Sequence, residues 1–151
     1  MNGSTGDGLK EGGGARDRFD DDRHCFVCGE KNPFGLQLQP KGKDGRGTIS
    51  WVPDRRHQGF EGVVHGGLIS TLLDESMAYA AMSVGGFCAT AEIAVKFIRP
   101  VRTGIPVKIE ARLVEQRGRL LKLEASVIQE GEEKAKGRGT FLQVTGGRKG
   151  D

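Results

Sequence analysis

The sequence lacks any run close to the ~18 to 20 consecutive apolar residues that a membrane-spanning helix requires, so no such helix and no membrane partner is expected. It also lacks the basic-then-apolar opening of a secretory signal, and a soluble cytoplasmic protein is expected. Cysteine is scarce: Cys25, Cys28 and Cys88 form an odd set that argues against a disulfide scaffold and for a reducing compartment. Cys25 and Cys28 make one C-x-x-C, but a structural zinc site wants four ligands. Cys88 and the three histidines supply no second C-x-x-C or H-x-x-x-H, so no metal is expected and the two thiols are read as packed beside Phe26. Charge of one sign is not in large excess either. The 23 basic and 20 acidic residues are interleaved, and a net charge of +3 gives no reason to expect nucleic acid as a partner. No G-x-x-x-x-G-K-[ST], G-x-G-x-x-G or G-x-S-x-G is present, which leaves phosphate-loop, dinucleotide and serine-elbow chemistry without support.

Glycine is abundant, and six of the 25 fall within the first fourteen residues. The nearly apolar-free stretches 1–22 and 146–151 read as disordered tails around one domain, 23–145, long enough for a single core. Within it, Leu36–Pro40 and Gly47–Pro53 suggest a β-hairpin. Apolar residues then recur at three- and four-residue steps from Leu68 through Ile69, Leu72, Leu73 and Met77 to Ala80, and Gly85-Gly86 ends this helix. After that glycine pair the period becomes two. Ala89–Ile98, Val107–Glu115, Leu120–Ile128 and Lys134–Val144 read as four strands of a meander. One helix and about six strands predict an α+β fold, an antiparallel sheet wrapped around a single apolar helix.

The chemistry is expected where that helix begins. In Val64-His65-Gly66-Gly67-Leu68, two glycines at a helix start cost roughly 1 kcal/mol each relative to alanine within a helix. They leave bare N–H groups at the positive end of the helix dipole, suited to a polarised carbonyl or an oxyanion. Asp74 shares a helix face with the small residues Ser70, Ala78 and Ala81, where another backbone can come close. At ~1.5 Å per residue, Gly66 and Asp74 lie about 12 Å apart along one helix. A catalytic carboxylate must reach the reacting atom. If both groups act, an antiparallel helix from a two-fold partner must bring its Asp74 beside this Gly66, at a homodimer interface.

His65-Gly66-Gly67, the acid at Asp74 nine positions after the histidine, and Phe97-Ile98-Arg99-Pro100 after a strand resemble the hotdog-fold thioesterases. The similar branch includes the phenylacetate-pathway and 4-hydroxybenzoyl-CoA thioesterases. His24-Cys25-Phe26-Val27-Cys28-Gly29 with Asn32-Pro33 and Gly35-Leu36 is similar to the lead-in of one large subgroup, and the resemblance spans about residues 24–144. It implies a homodimer or homotetramer that hydrolyses acyl-CoA thioesters without metal or organic cofactor. Carried over by position, it implies that Gly66 donates its N–H to the thioester oxygen, with Gly67 beside it and His65 shaping the loop. Asp74 is implied as nucleophile or as the base that activates water, with Glu75 as second choice. Thr90, ten residues before Pro100, stands where the family has a Ser or Thr that positions the water or carboxylate. Gly59 stands where a Gln or Asn is frequent, and Gln58, one residue further back, would present its amide from a longer loop. Arg99 and Arg102 are candidate partners for the CoA phosphates. A rival reading is a non-catalytic acyl-CoA-binding or sensing module, which would keep the glycines but not need the acid.

Overall fold

A computed structural model describes residues 18–147. The strands are β1 (Arg18–Asp20), β2 (Lys41–Lys43), β3 (Arg46–Trp51), β4 (Cys88–Phe97), β5 (Val107–Arg117), β6 (Leu120–Gln129), β7 (Glu132–Gln143) and β8 (Thr145–Gly147). A single-turn 3-10 helix at Arg55–His57 precedes α1 (Gly66–Met82). β2 to β7 form one six-stranded antiparallel sheet in the order β2-β3-β5-β6-β7-β4, while β1 and β8 pair in parallel.

The helix forms because its apolar residues have somewhere to go on nearly every side. Leu72, Leu73, Met77, Ala80 and Ala81 are 0% exposed, and the inward residues of the sheet, Ile49, Ile109, Leu121, Leu123, Val127 and Phe141, close over them. Each fully buried Leu or Phe contributes roughly 1.5–3 kcal/mol relative to exposure, so this layer supplies most of the driving force. The sheet comes this close because it carries glycine where α1 passes. A Cβ at Gly47 would collide with the Ser76 carbonyl oxygen and sit 3.0 Å from the Ala80 nitrogen. Two tight turns set the hairpin registers: Asp44-Gly45 between β2 and β3, and Glu130-Gly131 between β6 and β7, each with both residues at positive φ.

This is the helix in a curved antiparallel sheet that the sequence predicts, with three differences. The first hairpin is β2–β3, not Leu36–Pro40 with Gly47–Pro53: Gln37 takes a φ of 51°, which breaks extension. The Leu36 and Leu38 N–H groups instead bond the Phe26 and Val27 carbonyls. The last four strands are not a simple meander. β5, β6 and β7 are, but β4 pairs with β7 and forms the far edge, because the segment 98–106 carries the chain across to the other side before β5 begins. Of the expected tails, residues 1–17 and 148–151 lie outside the described residues, whereas 18–20 and 145–147 form the β1–β8 pair.

Candidate active site

His65 caps α1. Its backbone, at φ −59° and ψ 131°, turns the chain into the helix, and its Nδ1 accepts the Gly67 N–H at 2.8 Å. The His65 carbonyl takes the Leu68 and Ile69 N–H groups, and the His65 N–H donates to the His57 carbonyl at 2.9 Å. The ring therefore satisfies one of the orphan donors of the first turn. Gly67 is thereby occupied by its own cap. Gly66, the first helical residue, is exposed, and its N–H meets no acceptor among the described residues. It lines a cleft of about 300 Å³ with Val63, Ile69, Phe97, Ile98 and Arg99.

Gln58 is used locally: its Oε1 accepts the Gly62 N–H at 3.1 Å, and its backbone bridges to Val64, so it braces the loop leading into α1. Arg99 and Arg102 are held by their backbones and exposed in their side chains. The Arg99 N–H donates to the Lys134 carbonyl at 3.0 Å. The Arg102 N–H donates to Oε1 of Gln129, a residue 1% exposed whose Nε2 returns bonds to the Arg102 and Ile105 carbonyls.

Asp74 lies two turns further along α1, separated from Gly66 by about 12 Å of helix rise. Thr90 Oγ1 on β4 donates to Asp74 Oδ1 at 2.7 Å, within the range for a hydroxyl bonded to a carboxylate. Burial pushes the Asp74 carboxyl above its ordinary pKa, and the Thr90 hydroxyl pulls the other way. A register shift between Thr90 and Glu92 leaves Ala91 without a partner on β7, and this bulge sits directly beside the residue that meets Asp74. A single chain thus holds an acid–hydroxyl pair at mid-helix and an open N–H at the helix start, and no side-chain hydrogen bond among the described residues connects them.

The sequence model of the thioesterase superfamily matches residues 61–136, 76 of the 151 residues, covering the helix start, Asp74, Thr90 and most of the sheet. The chain belongs to the thioesterase superfamily. Conserved protein PA5202 from Pseudomonas aeruginosa is 34% identical over 70% of this chain and 87% of its own, with a TM-score of 0.66. Protein RHA08564, titled a thioesterase superfamily protein, is 25% identical with a TM-score of 0.74; the match covers 80% of this chain and 61% of that one. The protein smu.793 from Streptococcus mutans, solved with acetyl CoA, shares the fold at 23% identity and a TM-score of 0.67 over 74% of this chain and 91% of its own.

On this thioesterase-superfamily chain the structure also assembles a group that spacing did not reveal. Glu75, about 100° around α1 from Asp74, faces Cys25 and Cys28, and the three ligating atoms lie within 4.8 Å of one another. The Cys25 thiol approaches Glu75 Oε2 at 3.8 Å, and Tyr79 OH donates to Cys28 Sγ at 3.2 Å. Burial raises the Glu75 carboxyl to about 7. The hydrogen bond between the two thiols lowers Cys25 to about 5 and raises Cys28. Counting only Cys and His as ligands missed this group, because its third member is a carboxylate 47 residues beyond Cys28.

Proposed function

We propose that the chain is an acyl-CoA thioesterase acting as a homodimer, with each site built from both chains. The carrying observation is the gap between the open Gly66 N–H and the Asp74–Thr90 pair, which no side chain among the described residues bridges. A two-fold partner with its α1 antiparallel closes that gap. β4 suits the interface: it is a ten-residue edge strand that ends in Phe97, 56% exposed, and is followed by Ile98, 43% exposed. An open edge with apolar side chains is a strand-pairing surface.

In this arrangement the Gly66 N–H of one chain, helped by the positive end of α1, polarises the thioester carbonyl. Asp74 of the other chain works from the opposite side, held in one orientation by Thr90. As a base it takes a proton from water while the water oxygen bonds to the carbonyl carbon; as a nucleophile its own oxygen does so, and water later cleaves the anhydride. In both, the tetrahedral intermediate collapses with breakage of the C–S bond, and the CoA thiolate leaves with the electron pair and is reprotonated. A thiolate is a good leaving group, so no strong general acid is required. The exposed Arg99 and Arg102 guanidinium groups are available to the CoA phosphates, and the acetyl CoA bound to the S. mutans relative supports a CoA ester as ligand.

The test is Asp74→Asn assayed against short, long and aromatic acyl-CoA esters. Hydrolysis falls by about 10²–10⁴-fold, the range for loss of a positioned general base, while ester binding is retained. A wild-type protein that binds one ester tightly and turns over none of the panel is a sensor module instead.

A further inference from the structure

The cluster on the other side of α1 is absorbed by neither the fold nor the hydrolysis. Cys25, Val27 and Cys28 form a tight turn in which the Val27 and Cys28 N–H groups both donate to Cys25 Sγ at 3.3 Å. The Gly29 N–H closes the turn onto the Cys25 carbonyl at 2.9 Å. A Cβ at Gly29 would collide with the backbone of Cys25 and Arg23, so glycine is required directly after Cys28. The turn presents two thiols on the same side, and Glu75 meets them from the helix. Glu75 makes no ion pair among the described residues, and its carboxylate meets the Cys25 thiol at 3.8 Å.

In a tetrahedral zinc site with S at ~2.3 Å and O at ~2.0–2.2 Å, sulfur–sulfur edges are ~3.8 Å and sulfur–oxygen edges ~3.5 Å. The three ligand atoms here lie within 4.8 Å of one another, and the Cys25 Sγ to Glu75 Oε2 distance is 3.8 Å. Side-chain adjustments of about 1 Å or less bring all three onto one cation. The donors that a metal-bound thiolate needs are already in place: two backbone N–H groups on Cys25 and the Tyr79 hydroxyl on Cys28.

We propose that Cys25, Cys28 and Glu75 bind one zinc-class divalent cation, with water in the fourth position, and that this cation fastens the loop around residues 23–38 to α1 beside Asp74. The proposal stands apart from the hydrolysis reading, because its readout is the metal and not turnover.

The experiment titrates cobalt(II) into the reduced, metal-free full chain. A thiolate-to-cobalt charge-transfer band and intense tetrahedral visible bands saturate at one equivalent per chain, vanish when zinc is added, and accompany a rise in thermal midpoint. Cys28→Ser removes most of the charge-transfer intensity, and Glu75→Gln, which leaves both thiols and the fold intact, weakens cobalt affinity by at least about tenfold. Cys88→Ser leaves the titration unchanged. Absence of a saturable band at one equivalent overturns the site, as does a wild-type titration reproduced by Glu75→Gln. A Cys25–Cys28 disulfide that persists under reductant and blocks cobalt also overturns it.

Discussion

Replacing Gly66 with proline removes the one donor on which the proposed oxyanion site depends while disturbing little else. Gly66 is the first residue of α1, and its N–H bonds nothing among the described residues, so no intrahelical bond is lost. Proline is favoured at this helix position, where its fixed φ suits the chain. It also demands an extended preceding residue, and His65 at φ −59° and ψ 131° already is one. The new Cβ would find only the Phe97 ring, at 3.5 and 3.6 Å, an ordinary contact. Folding stability should therefore change by less than about 1 kcal/mol. Loss of a single oxyanion donor costs about 10²–10³ in kcat, roughly 2.7–4 kcal/mol of transition-state stabilisation. Turnover is best followed by loss of thioester absorbance, because the three free cysteines would react with a disulfide reagent. Gly66→Ala keeps the N–H and should lose much less than Gly66→Pro. A proline variant that melts like wild type and hydrolyses like wild type refutes the assignment.

Two further outcomes follow from the same geometry. Thr90→Val removes the hydroxyl from Asp74; a hydrogen bond to a charged group is worth about 1.5–3 kcal/mol, and exposure of Thr90 favours the lower end, so kcat should fall about tenfold. Burial already holds the Asp74 pKa up and Thr90 opposes it, so the variant's acid limb should move to higher pH, with activity lost earlier as pH falls. The same substitution in an Asp74→Asn background should cost little, and an undiminished cost there contradicts the pairing. Gly47→Ala forces a methyl group onto the Ser76 carbonyl at the helix–sheet contact and should cost about 3 kcal/mol or more, read as a lower thermal midpoint.

What the sequence disclosed is local. The three- and four-residue spacing of Leu68 to Ala80 marks α1 because burial of that stripe forms the helix, and β5, β6 and β7 show their alternation for the same reason. The placement of β4 at the far edge was hidden, since alternation says that a strand exists and not which neighbour it takes. Gln37 carries no glycine-like signature, so its positive φ and the break it makes were invisible too. Around the candidate site, the glycine pair marked the helix start, but only coordinates separate their roles: the His65 ring takes the Gly67 N–H and leaves that of Gly66 open. The Cys25–Cys28–Glu75 group was out of reach for a different reason. Its members are joined through space by the packing of an irregular loop on α1, and no residue spacing encodes that contact.

The central claim, that each site draws on two chains, is tested by mixing Asp74→Asn with Gly66→Pro, two variants each expected to be inactive alone. If Gly66 of one chain serves Asp74 of the other, every mixed dimer contains one intact site and one doubly altered site. With half of the dimers mixed after free exchange of equal amounts, activity should return to about a quarter of the wild-type value. If the mixture stays as inactive as its components after exchange is verified, Gly66 and Asp74 do not act together across an interface, and the account fails.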